Sequence, residues 1–96
     1  MLSVIEDSRV SRIVDDAKMQ WPRADDAWDG ITWIIAREPQ IGIPVTESGA
    51  TRSFTLQGAR SIGLPTVTVL YEITSVAVIV HDARFEDAEA TQAGHA

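Results

Sequence analysis

Four side chains carry most of the chemistry this sequence can offer: Arg52, Arg60, Arg84 and His81. Arginine presents a planar fork of donors that suits carboxylate or phosphate. Histidine exchanges a proton near neutrality. Arg52 stands at the start of one strand-like run and Arg84 at the end of another, so the two are expected to meet on one edge of a sheet. The plainer reading of each arginine is an ion pair. Fourteen acidic residues face seven arginines and Lys18, and exposed pairs of this kind are common. For His81, which follows Val80 among apolar neighbours, the plainer reading is a structural histidine bonded to a backbone carbonyl. Tyr71 alternates with Val67, Val69 and Ile73, which makes it a core tyrosine with its hydroxyl at the rim.

Other chemistries find little support. His81 and Asp82 are adjacent, so they point to opposite faces of a strand and make no metal pair. Asp15–Asp16 and Asp25–Asp26 read as solvated helix faces. There is no cysteine, hence no disulfide, thiolate ligand or thiol nucleophile. The serines lack a nucleophile-elbow context, and no glycine-rich phosphate loop follows a strand. No cofactor is expected.

The elements that must position these residues follow from periodicity. Pro65 to Phe85 is the organising stretch: two runs rich in β-branched residues, parted only by Thr74 and Ser75, predict an antiparallel hairpin. Thr66, Thr68, Leu70 and Glu72 take the face opposite Tyr71, free to stay wet or meet a partner. Val76, Val78 and Val80 share one face of the second run; Ala77, Ile79, His81, Ala83 and Phe85 share the other. That run is apolar on both sides up to His81 and belongs inside the sheet. Thr51 to Gln57 alternates as a further strand, with Arg52, Phe54 and Leu56 on one face. Gly58 to Gly63 is a loop carrying Arg60, and Ile41 to Ser48 an irregular connection.

Upstream, Leu2 to Glu6 reads as a short first strand. Asp7 or Ser8 caps a helix whose stripe is Val10, Ile13, Val14, Ala17 and Trp21. Pro22 ends it. A second helix runs from about Ala24 to Arg37, with Ala24, Ala27, Trp28, Ile31, Ile34 and Ile35 inward and Asp25, Asp26 and Asp29 at the positive end of its dipole. Gly30 is expected to allow close packing against the first helix. The predicted fold is α+β: a helical hairpin packed on one face of a small antiparallel β-sheet. Residues 1–85 form one domain, and 86–96 an acidic, flexible tail.

Met19 and Trp33 lie off the helical stripes. Either a third layer covers them or they bind a partner, and Trp33 is the better anchor.

Ninety-six residues with a net charge of −6 make one modest core. Bulk charge repels nucleic acid and anionic membranes. No segment approaches the roughly 18 apolar residues of a membrane span. The N-terminus does not resemble a secretory signal, and a cytoplasmic location is expected.

Particular residues within this order are similar to the RelE/ParE superfamily of toxins from bacterial type II toxin–antitoxin systems. They are Ala-Arg-Glu-Pro-Gln-Ile-Gly (36–42) after the helical hairpin, Arg52 early in a strand, Val-Leu-Tyr-Glu-Ile (69–73), and Val-Ala-Val-Ile-Val-His-Asp-Ala-Arg (76–84). The resemblance implies a growth-inhibiting toxin neutralised by a cognate antitoxin. It implies one of two targets: messenger RNA on the ribosome, cut without metal, or DNA gyrase. RNA cleavage would need a base, an acid and phosphate-binding cations, for which Arg52, Arg60, Arg84 and His81 are the candidates. Where RelE-like nucleases carry an arginine shortly before the Tyr-x-Ile tyrosine, this chain has Val67, Thr68 and Val69. The alternative is a catalytically inactive interaction module on the same scaffold, stable alone or as a homodimer.

Overall fold

The computed structural model describes residues 1–89. The elements run in the order β1 (Ser3–Glu6), α1 (Ser8–Gln20), α2 (Ala24–Arg37), β2 (Ile43–Pro44), β3 (Thr51–Leu56), β4 (Thr66–Ile73) and β5 (Ala77–Glu86). Short 3₁₀ turns at Pro39–Ile41 and Arg60–Ile62 interrupt the connections. One five-stranded sheet has the order β1-β5-β4-β3-β2. β1 runs parallel to β5, and every other pairing is antiparallel.

The helices start and stop where side-chain chemistry dictates. The Asp7 carboxylate accepts the Val10 N–H at 2.9 Å, satisfying a donor that the first turn leaves free. At the other end the Trp21 N–H donates to Ala17 O, and Pro22 prevents continuation. Helix α2 has no side-chain cap. Asp25 and Asp26 in its first turn complement the dipole instead, and Arg23 is held by Asp26 at 2.8 Å.

Both helices lie on the same side of the sheet. Val10 and Val14 of α1 and Trp28, Ile31 and Ile35 of α2 pack on Val67, Val69, Tyr71, Val78 and Val80. Each fully buried aliphatic side chain contributes roughly 1.5–3 kcal/mol by leaving water. Trp21 and Phe85 stack at 6.3 Å, and Trp28 meets Phe85 at 6.0 Å, closing one end of this core. The architecture is thus α+β, with the helical hairpin on one sheet face and the strands' other face open.

Several local expectations change. β1 makes the sheet mixed rather than wholly antiparallel. The irregular connection contains an edge strand, β2, paired to Ser53 and Arg52. Val76 leaves the strand: it sits in the turn and is 75% exposed. There the Thr74 hydroxyl accepts the Ala77 N–H at 3.0 Å. The space beside Gly30 is filled by Leu56 of β3, not by the first helix. Residue 86 lies in β5, Asp87 accepts the Trp21 indole N–H at 2.8 Å, and Ala88 is buried. The rest of the expected tail, 90–96, lies outside the described residues.

The largest correction is a β-bulge. Tyr71 is opposite Val80 but Leu70 is opposite Asp82, so His81 is an extra residue. A bulge shifts the alternation of everything after it. Val80 and Ala83 are both buried while His81 and Asp82 between them are exposed. His81 and Asp82 therefore share the solvent side, and Ala83 and Phe85 join the face of Val78 and Val80.

Candidate functional site

The strand register places the predicted site residues on different faces. Arg52 is opposite Tyr71, and Phe54 and Leu56 of the same phase oppose Val69 and Val67. Arg52 therefore belongs to the helix side of the sheet. Arg84 is opposite Thr68, on the open side. Along β4 the two positions are three residues apart, about 10 Å. The expected meeting of Arg52 and Arg84 on one edge does not occur, because odd and even positions of β4 face opposite ways.

Arg52 is engaged through its Nε and Nη1. Its Nε donates to Gly49 O at 2.8 Å, and its Nη1 to Gln40 O at 3.0 Å and Gly42 O at 2.9 Å. It clamps the segment between α2 and β3. Tyr71 completes the clamp from the core. Its hydroxyl donates to Pro39 O at 2.6 Å and accepts the Gly42 N–H at 3.0 Å. Gly42 has to be glycine here, since a Cβ would stand 2.6 Å from the Tyr71 hydroxyl and 2.9 Å from Ser53 O.

Burial pushes the Tyr71 phenol above its ordinary pKa; the Gly42 N–H and the Arg52 charge oppose this more weakly. The sign follows by linkage. The folded state holds the proton more tightly than the unfolded state, whose phenol titrates near about 10. The contribution is intact below that value and is lost as pH rises through the raised folded pKa. Tyr71→Phe should cost about 1–2 kcal/mol at neutral pH, through the unpartnered Pro39 and Gly42 groups. It should also remove part of the alkaline loss of stability, as urea unfolding from neutral to strongly alkaline pH would measure.

Arg60 occupies the 3₁₀ turn between β3 and β4 and is exposed. Arg84 is exposed beside Glu86 at 3.7 Å. His81 Nε2 meets Glu72 Oε1 at 2.9 Å on the open side, rather than a backbone carbonyl. The carbonyl of His81 accepts from Arg9, whose other nitrogen reaches Asp82 at 3.3 Å.

What the register does gather is a continuous open face. One cross-strand row is Ile5, Ile79, Glu72 and Thr51; the next is Asp82, Leu70, Ser53 and Ile43. A third holds Arg84, Thr68 and Thr55, with the two threonine hydroxyls 2.8 Å apart. A shallow depression of about 190 Å³ lies between Ser53, Thr68, Leu70, Asp82 and Arg84. Among the described residues, Arg84 is the one strand arginine on this face. Sequence reasoning had set Leu70 and Glu72 on it. Alternation also turns Ser53 away from Phe54 and Leu56, onto this face; Asp82 joins it only through the bulge in β5, which alternation does not show.

Met19 and Trp33 lie on the helical layer, 89% and 55% exposed. Two layers leave them uncovered where a third would have hidden them. The Arg37 guanidinium sits 4.5 Å over the Trp33 ring, a cation–π contact that already covers part of it. Among the described residues, no group of three or more His, Asp or Glu is placed to hold a metal ion. No helix among them is long and apolar enough to cross a membrane. No protein-family model matches the chain, and no curated protein matches it.

Proposed function

We propose that this chain is a RelE/ParE-like toxin component of a type II toxin–antitoxin system, and that it acts by binding its target rather than by cutting RNA. The resemblance of residues 36–42, 69–73 and 76–84 supports the family reading, and the helical hairpin on one sheet face is the fold it implies. The observation that carries the choice of mechanism is the fate of Arg52. It is spent on three loop carbonyls on the helix side, away from Arg84. A phosphoryl transition state needs several cations converging on one point, and the net charge of −6 works against a polyanionic substrate. Gyrase is the target class that remains within the resemblance. The same observation favours, as the second reading, an inactive interaction module on this scaffold.

Controlled expression of the chain alone in its native host tests this. The expected result is arrested growth, relieved by a co-expressed antitoxin from the adjacent reading frame, with no new messenger RNA ends by primer extension. Unimpaired growth at high expression would remove the toxin reading and leave the inactive module. Ribosome-dependent cleavage would restore the nuclease.

A further inference from the structure

The open sheet face combines two features. Ile5, Ile79, Leu70 and Ile43 are apolar positions spread over four of the five strands; Ile5 is 51% exposed and Ile43 74%. Glu72 and Asp82 stand among them and Glu86 beyond Arg84, three carboxylates against the single guanidinium of Arg84 on the strands. Arg9 of α1 pairs with Asp82, and His81 of the β5 bulge with Glu72. Those pairs are exposed, so each is weak and can exchange for another cation at little cost. Exposed isoleucine and leucine side chains set among polar groups on an uncovered sheet face invite a partner, and the sign of the surrounding charge selects it.

We propose that this face binds an extended, basic protein segment, with its apolar side chains along Ile79, Leu70 and Ile43. One lysine or arginine of that segment pairs with Asp82 in the depression it shares with Ser53, Thr68 and Arg84, the last drawn toward Glu86. The depression holds about 190 Å³, the space of about six waters. Leu70, Val69 and Ala83 give it apolar lining, Asp82 a carboxylate, and the hydroxyls of Ser53 and Thr68 can accept a donor. An acidic segment would meet Glu72, Asp82 and Glu86 with like charge. The inference deepens the proposed function by giving the chemistry of the protein partner, and it rests on that reading only for the existence of such a partner.

The test uses two synthetic peptides of about ten residues, enough to cross the five strands. One alternates valine with lysine and the other valine with glutamate. Binding to the isotope-labelled chain is followed by NMR. The lysine peptide should shift the amides of Leu70, Ile79 and Asp82, and weaken as salt screens it. Leu70→Lys and, on the edge strand, Ile5→Lys should each lower its affinity about tenfold. Met19→Lys on the helical layer should leave it unchanged. Equal binding of the glutamate peptide, binding indifferent to both lysine variants, or no binding overturns the inference. So do shifts that arise on concentrating the chain alone, which would mean a second copy covers the face. Growth arrest without peptide binding sinks this inference and spares the toxin reading; binding without growth arrest does the reverse.

Discussion

Gly58→Ala is expected to destabilise the fold by about 3 kcal/mol, lowering Tm by roughly 12–24 °C for a domain of this size. A Cβ at Gly58 would lie 2.5 Å from Pro65 O and nearer still to Leu64 O. Neither carbonyl can step aside cheaply. Leu64 O accepts the Ala59 N–H at 2.9 Å, and Ala59 O accepts the Leu64 N–H at 3.1 Å, so a closed bridge holds both ends of the loop. Pro65 is fully buried and its ring fixes the backbone. The Gly58 N–H also donates to the Thr66 hydroxyl at 2.9 Å, so moving Gly58 instead breaks that bond. The whole cost falls on the junction where β3 hands over to β4. Ser61→Ala, exposed in the same loop, should stay within about 0.5 kcal/mol. Thermal melts by circular dichroism compare the two. A Gly58→Ala protein melting with its parent would mean that the loop does not pinch there.

The pinch illustrates what a sequence displays and what it withholds. Helices α1 and α2 and strand β4 are visible because their burial repeats with one period over eight residues or more, and β5 because its run of β-branched residues suits a strand. Such repetition needs no knowledge of partners. The bulge at His81 is invisible for the opposite reason. Nothing in Val-His-Asp-Ala announces an extra residue; it exists because Val80 and Ala83 must both reach the core while β4 keeps strict alternation. β2 is hidden too. Two residues with a proline carry no period, and they count as a strand only because β3 offers a partner.

The fate of Arg52 was legible in part. It shares its strand phase with Phe54 and Leu56, which the alternation already turned toward the helices, whereas Arg84 stands opposite the polar Thr68. Phase alone therefore separates the two arginines once the register is known. What phase cannot supply is the trio of carbonyl acceptors, because they come from a segment with no periodicity of its own.

Arg52→Ala should cost about 3 kcal/mol, since one truncation removes three charge-assisted hydrogen bonds. Gly42 is buried, so its carbonyl loses a partner where water has little access. The Tyr71 hydroxyl would still hold Pro39 and Gly42, which limits the damage to the segment ending at Gly49. Hydrogen exchange should rise at Val45, whose N–H pairs with Thr51 O, before it rises in the core. Arg52→Lys should not rescue the clamp, because an ammonium lacks the planar fork that spans Gln40, Gly42 and Gly49. Arg84→Ala is the contrast. It is exposed, and the Glu86 carboxylate it pairs with stands 3.7 Å away, so its loss should stay within about 0.5 kcal/mol. Denaturant unfolding of the three variants gives the energies. The contrast also governs how activity loss is read: an Arg52 variant that no longer arrests growth reports an unclamped edge of the sheet, whereas an Arg84 variant with unchanged stability that behaves likewise reports a contact made by the open face. If Arg52→Ala unfolds at the same urea concentration as its parent, the guanidinium is not holding the loop. It would then be free to serve a substrate, and the argument against RNA cleavage would lose its footing.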